Sequence, residues 1–209
     1  AIASFEEAIR VDPSSHRHHQ ELATLLYLSG DTRRALEESE VAASLEPTDP
    51  ENYVVMAQAH AALNRRDEAV QDLEQALALD NTNADVHHAM GELCRQIGYH
   101  ERAEEHFRQV ISLRPKDAEA RNQLGQTYEH AQQYDKALAQ YLRAIELDSE
   151  EPEYYFNAGR THKKRKEYSE AQAMFMEVLR LAPANTEAYK QLAAVSALSL
   201  AGDVRAIAR

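Results

Sequence analysis

The sequence predicts an all-α fold of tandem helical hairpins, on three observations. First, the 209 residues are rich in Ala, Leu, Glu, Gln and Arg and hold only 6 Gly and 6 Pro. Such side chains lose little entropy in a helix. Second, the chain is self-similar at a period of 34 residues, without one insertion or deletion. Third, segments such as Asp117–Ala131 and Tyr134–Leu147 carry apolar residues at i, i+3, i+4 and i+7, the spacing of an amphipathic helix.

Five ladders share the register. Pro13, Pro47, Asn81, Pro115, Ser149 and Pro183 form one. Ala1, Ala35, Ala69, Ala103, Ala137 and Ala171 are all alanine, and Ala23, Ala57, Gly91, Gly125, Gly159 and Ala193 are all small. Val11, Leu45, Leu79, Leu113, Leu147 and Leu181 are aliphatic. Phe5, Leu73, Phe107, Tyr141 and Phe175 are large, with Ser39 the exception. A small rung lets two helices approach to roughly 8–10 Å, and the large rung fills the space between neighbours. Proline past the second helix stops it, and the Asp or Asn beside it caps the next helix.

In order, residues 1–15 read as the second helix of a truncated repeat. Complete repeats cover 16–49, 50–83, 84–117, 118–151 and 152–185, and residues 186–209 read as a partial or capping repeat. There a first helix starts at Thr186, the register fails after Ser196, and Ser199–Asp203 looks like the usual hairpin placed late. The leading second helix would expose Ile2, Phe5 and Ile9, which suggests a fragment of a longer protein or an edge that pairs with another copy.

These residues resemble the tetratricopeptide repeat (TPR) family. The repeat from Ala118 to Glu151 reads Leu124-Gly125, Tyr128, Ala137, Tyr141, Ala144, in the order of the family pattern. The resemblance covers nearly the whole chain and implies a right-handed superhelical α-solenoid, used as a single domain for protein binding. Departures fall at His19 and His87, where the family has a bulky aromatic, at Ala158, where it has Leu, and at Ser39.

Charge and motifs exclude several functions. A net charge of −12 argues against nucleic acid and against adhesion to anionic membranes. No run of about 18 apolar residues is present to span a bilayer. No signal peptide is visible, although the chain does not begin with Met. Cys94 is the sole cysteine; it permits a cytoplasmic location, the one favoured, and excludes an internal disulfide framework. Of the ten histidines, adjacent pairs such as His87 and His88 diverge by about 100° on a helix and cannot converge on zinc. His19, His60, His87 and His162 fall on packing rungs. No phosphate loop, nucleophile elbow or His-Glu-x-x-His occurs. A non-catalytic chain without cofactor or metal is expected.

In the family, first helices line the concave face. That rule selects Gln58, His88, Glu92, Arg95, Asn122, Gln123, Gln126, Glu129, Phe156, Asn157, Arg160, Lys163, Lys164 and Gln191 as candidate partner-binding residues. The face reads as apolar and shallow around Val54, Val55, Ala61 and Ala62, and polar from His88 to Lys164. Gln123, Asn157 and Gln191 share one rung, whose amides suit an extended peptide backbone. The rung resembles the asparagine ladder of O-linked N-acetylglucosamine transferases, though earlier repeats carry Glu21, Val55 and Ala89 there. Arg160, His162, Lys163, Lys164, Arg165 and Lys166 form the one dense basic run, suited to an acidic segment or a C-terminal carboxylate. The clamp that co-chaperones use on heat-shock chaperone tails is not matched: Asn122, Gln126 and Asn157 are followed by Glu187 and Gln191 where it needs two cations. The leading expectation is a scaffold or adaptor that binds a protein or peptide. The alternatives are a substrate-recruiting arm of a larger enzyme, such as a glycosyltransferase, and a scaffold that self-associates through its N-terminal edge.

Overall fold

A computed structural model describes residues 1–207, with side chains to Leu200. Residues 208 and 209 of the expected terminal repeat lie outside the described residues. The described chain is helical, without strands. One compact unit, Ala1–Tyr99, holds α1 (Ile2–Val11), α2 (His16–Ser29), α3 (Thr32–Leu45), α4 (Pro50–Ala62), α5 (Arg66–Leu79) and α6 (Ala84–Gln96). A second, from His100 onward, holds α7 (His100–Leu113), α8 (Ala118–His130), α9 (Tyr134–Leu147), α10 (Pro152–Lys164), α11 (Tyr168–Leu181) and α12 (Thr186–Ile207). Helices α2, α4, α6, α8, α10 and α12 are the first helices of the repeats.

Each first helix after α2 starts at the same cap. Asp49, Asn83, Asp117, Glu151 and Asn185 accept from a backbone N–H two or three residues on, at 2.8–3.2 Å for the closest contact of each. A cap of this kind contributes about 1 kcal/mol. Each hairpin then turns on one left-handed residue: Gly30 (φ 88°), Asn64 (62°), Gly98 (86°), Gln132 (59°) and Lys166 (65°). The next position in this series is Leu200. Leucine strongly disfavours that conformation, and α12 runs on as one helix of 22 residues through Gly202 and Asp203. The late hairpin expected at Ser199–Asp203 does not form.

Small and large rungs fit together within a repeat. A methyl group on Gly125 would lie 2.5 Å from Tyr141 Cε1, and one on Gly159 2.9 Å from Phe175 Cε1. Where the large rung is Leu73 or Ser39, the small rung of the same repeat is Ala57 or Ala23. Phe107, Tyr141 and Phe175 are wholly buried, each contributing about 1.5–3 kcal/mol. Ser39 is wholly buried too, its hydroxyl satisfied by Leu36 O at 2.9 Å.

The departures at His19 and His87 are resolved by a shared acceptor. His19 Nε2 meets Pro13 O at 3.2 Å and His87 Nε2 meets Asn81 O at 3.0 Å. At the same position Tyr53 Oη donates to Pro47 O at 3.1 Å and Arg121 Nη2 to Pro115 O at 3.2 Å. In these four repeats an imidazole, a phenol or a guanidinium meets the loop carbonyl from the same position.

Ile2, Phe5 and Ile9 are not the open apolar edge expected. They are half-buried against a core of Leu22, Leu26, Ala35, Leu36 and Ala59. The amphipathic face of α1 turns toward α2.

Candidate functional site

The first-helix face of the second unit is a continuous polar network. On α8, Asn122 is wholly buried, and on α10 Asn157 is 5% exposed. Asn157 Nδ2 donates to Asn122 Oδ1 at 3.0 Å, joining the two helices. Glu153, exposed at the start of α10, accepts from Asn122 Nδ2 (3.2 Å), Gln126 Nε2 (3.1 Å) and Asn157 Nδ2 (3.5 Å). No cation among the described residues pairs with Glu153, and three neutral amides hold its carboxylate.

The amide rung works through the acidic rung four residues before it. Gln123 Nε2 donates to Glu119 Oε1 at 2.5 Å and Gln191 Nε2 to Glu187 Oε1 at 2.8 Å, matching Asn157 on Glu153. The amide N–H groups that were expected to meet a peptide backbone are therefore directed at Glu119, Glu153 and Glu187. That pattern was legible as three i, i+4 pairs in successive repeats. Gln123 is buried and its Oε1 has no partner.

The basic run is largely paired. Glu129, 6% exposed, receives Arg160 Nη2 at 2.9 Å and Lys164 Nζ at 2.8 Å on one oxygen and Tyr141 Oη at 3.0 Å on the other. Burial, followed by the nearby Glu129 carboxylate, holds the Tyr141 phenol far above its usual range. Lys163 Nζ donates to Gln191 Oε1 at 2.8 Å, tying α10 to α12. His162 and Arg165 both meet Glu167, at 2.7 and 2.8 Å, and Arg165 also meets Asp135 at 2.7 Å. Phe156 is half-buried, edge-on to Phe175 with ring centroids 5.7 Å apart.

In the first unit the face is different. Val54 and Val55 are core residues, 8% and 2% exposed, rather than part of the shallow apolar face read from sequence. Ala61 and Ala62 are exposed. Gln58 on α4 and Glu92 on α6 line a cleft of about 370 Å³ with Tyr27, Ala61, Ala62, Ala89 and Gln96. His88 and Arg95 are half-buried on α6 and do not line it. Arg95 Nε is buried without a partner. Burial, then repulsion from Asp49 and Asp85, raises the pKa of Glu51.

Among the described residues, no group of three or more His, Cys, Asp or Glu side chains is arranged to hold a metal ion, and no helix is long and apolar enough to cross a membrane. Cys94 is buried.

Comparison with known proteins gives a consistent picture. A model described as TPR repeat matches residues 57–98 and 130–166, and two described as tetratricopeptide repeat match 106–139 and 84–117 with 152–185. No curated protein matches the chain. Among solved structures, the chain is similar to YrrB, described as a TPR protein with an unusual peptide-binding site. That match has 23% identity and a TM-score of 0.74, and covers 91% of this chain and 98% of YrrB. It is similar to MamA of Desulfovibrio magneticus RS-1, at 23% identity and TM-score 0.76, over 82% of this chain and 97% of that one. It is also similar to PilF of Pseudomonas aeruginosa, at 17% identity and TM-score 0.77, over 93% and 88%. At these identities the likeness shows the fold. With the repeat models together reaching from residue 57 to 185 and helical hairpins through both units, the chain belongs to the tetratricopeptide repeat family.

Proposed function

We propose that the chain is a non-catalytic protein-interaction scaffold whose first-helix face, over α8, α10 and α12, receives a segment of a partner protein. One observation carries this reading: the polar side chains of that face are held to one another across repeats. Asn122, Gln126 and Asn157 converge on Glu153, and Lys163 reaches Gln191. A partner meeting such a face does not have to order long side chains, a cost of about 0.5–1.5 kcal/mol each when they start free. Tetratricopeptide repeats support protein–protein interaction, and the description of YrrB as having an unusual peptide-binding site agrees with the reading.

The pairing of the basic run changes which side chains can be tested. Arg160 is a counter-ion of buried Glu129, so reversing its charge would place two carboxylates together and disturb folding. Glu153 and Lys163 are safer: neither neutralises a buried charge. The test is affinity capture with wild type and a Glu153→Gln, Lys163→Gln variant, read by mass spectrometry, with helicity followed by circular dichroism. The expected result is a specifically captured protein whose recovery falls about tenfold in the variant, equivalent to 1.4 kcal/mol, at unchanged helicity. Equal recovery by both would remove this face from the function.

A further inference from the structure

We infer that the cleft between α4 and α6 takes one bulky apolar side chain of a partner segment, with a lysine or arginine next to it in that segment. This rests on the reading of the chain as a protein binder, but on a different unit and a different kind of contact.

The cleft exists because one repeat truncates its face. Along the rung Tyr27, Ala61, Arg95, Glu129, Lys163, Ala197, and along the next, Leu28, Ala62, Gln96, His130, Lys164, Leu198, only α4 carries alanine at both positions. Ala61 and Ala62 are exposed, and nothing fills the space left above them. The resulting cleft of about 370 Å³ is lined by Tyr27, by the exposed Ala61 and Ala62, and by the buried Ala57, Leu73 and Leu93. Its size falls within the range of about 300–1,000 Å³ usual for ligand sites.

Its rim supplies the rest. Gln58, Glu92 and Gln96 line it, and none of the three makes a side-chain hydrogen bond or ion pair with a described residue. This is the reverse of the second unit, where the amides of Asn122, Gln126 and Asn157 are all engaged. An apolar lining with a few polar groups around it is the usual constitution of a binding site. The two amides suit the backbone of an extended segment, offering both donors and acceptors.

Charge selects the neighbour of the apolar side chain. Glu92 is the one acidic residue lining the cleft. Seven residues before Gln58 and Glu92, and so on the same helix faces, stand Glu51 and Asp85. Glu51 is already crowded by Asp49 and Asp85. A cation arriving beside the apolar side chain gains chiefly from Glu92, with Glu51 and Asp85 about 10 Å farther along the helices, and an anion is repelled.

The experiment uses the full chain and three synthetic heptapeptides in a Gly/Ser frame, centred on Lys-Phe-Lys, Glu-Phe-Glu and Lys-Ala-Lys. Binding is followed by ¹⁵N–¹H chemical-shift titration to millimolar peptide. The Lys-Phe-Lys probe is expected to move the amide signals of Ala61, Ala62 and Ala89, with the other two at least tenfold weaker. Ala61→Leu, which fills the cleft from an exposed position, is expected to abolish the effect. Glu92→Gln is expected to erase the preference for Lys-Phe-Lys over Glu-Phe-Glu. The Glu153→Gln, Lys163→Gln variant is expected to bind like wild type, which separates this site from the α8–α12 face. Equal binding of the Lys- and Glu-flanked peptides would overturn the inference. So would undiminished binding by Ala61→Leu, loss of binding in the Glu153/Lys163 variant, or no shifts with any probe.

Discussion

Replacing Gly125 by Ala tests whether the two rungs of a hairpin fit as one shape. The added methyl would lie 2.5 Å from Cε1, 2.7 Å from Cδ1 and 3.0 Å from Cζ of Tyr141. The ring has little room to retreat, being wholly buried with its hydroxyl bound to Glu129 at 3.0 Å. Overpacking of this kind costs about 1–3 kcal/mol, toward the upper end for a ring held at both ends. Alanine recovers about 0.8–1 kcal/mol of helix propensity. A net loss of about 2 kcal/mol follows from these two terms. Tyr141→Leu alone opens a cavity and costs about 2–4 kcal/mol. The double variant recreates the Ala57 and Leu73 combination of the second repeat, so the two losses are not additive. A coupling of about 1–2 kcal/mol in favour of the double variant is expected from a double-mutant cycle. Urea unfolding followed by circular dichroism supplies the stabilities. Native-state hydrogen exchange at α8 and α9 amides localises them, since helical repeats can unfold in parts. Gly159→Ala, with its nearest contact at 2.9 Å, is expected to lose less. A Gly125→Ala chain as stable as wild type, or a cycle with no coupling, would refute the steric account of the ladder.

The remaining predictions concern charge and backbone. Arg160→Ala or Lys164→Ala alone is expected to have a small effect, since each leaves Glu129 one cation. The double variant strands a buried carboxylate and should cost about 3–5 kcal/mol; additive small losses in the denaturation midpoint would count against this. Lys166→Gly and Gln132→Gly relieve left-handed backbone at φ 65° and 59°. Strain of about 1–2 kcal/mol, less the flexibility glycine adds to the unfolded chain, predicts a net gain of about 0.5–1 kcal/mol, readable as a higher melting temperature. Glu51 has a raised pKa in the fold, from burial and then Asp49 and Asp85. Its neutral form is the favoured one, so its stabilising contribution is present at acid pH and lost as pH rises through the raised value. Glu51→Gln is therefore expected to stabilise the chain at pH 7, by no more than about 0.5 kcal/mol at this half-exposed position. The gain should fade below about pH 4, and a pH-independent gain would contradict the assignment.

The hairpins were legible because helix packing imposes a period on side-chain size, and Ala35, Phe107 and Pro115 report that period directly. The caps at Asp49, Asn83, Asp117 and Asn185 were legible for a local reason: the donor and acceptor lie within three residues. Long-range partners left no such trace. Asn122, Asn157 and Glu129 occupy first-helix offsets that a helical wheel turns outward, yet their partners stand 31–35 residues away on the neighbouring repeat and draw them inward. The basic run at Arg160–Lys166 looked available for an acidic ligand because Glu129 and Glu167 were invisible as its partners. The Glu119, Glu153 and Glu187 series was readable from i, i+4 spacing but was outweighed by the amides that serve it. The turn position hid among unlike residues: Gly30 and Gly98 announce it, while Gln132 and Lys166 adopt it only because the flanking helices require it.

The loop carbonyls of Pro13, Pro47, Asn81 and Pro115 have a consequence for how such a chain can change. Two are met by an imidazole, one by a phenol and one by a guanidinium, at 3.0–3.2 Å. What these four junctions share is a main-chain oxygen, which substitution does not alter. A 34-residue unit copied in tandem can thus let its junction side chains diverge one copy at a time, with reach and a polar hydrogen as the only conditions. The repeat from His16, which carries both His19 and Ser39, lies outside the matched stretch of 57–185, although it folds as the hairpin of α2 and α3. Chemical identity at a rung can be lost well before the geometry it once marked.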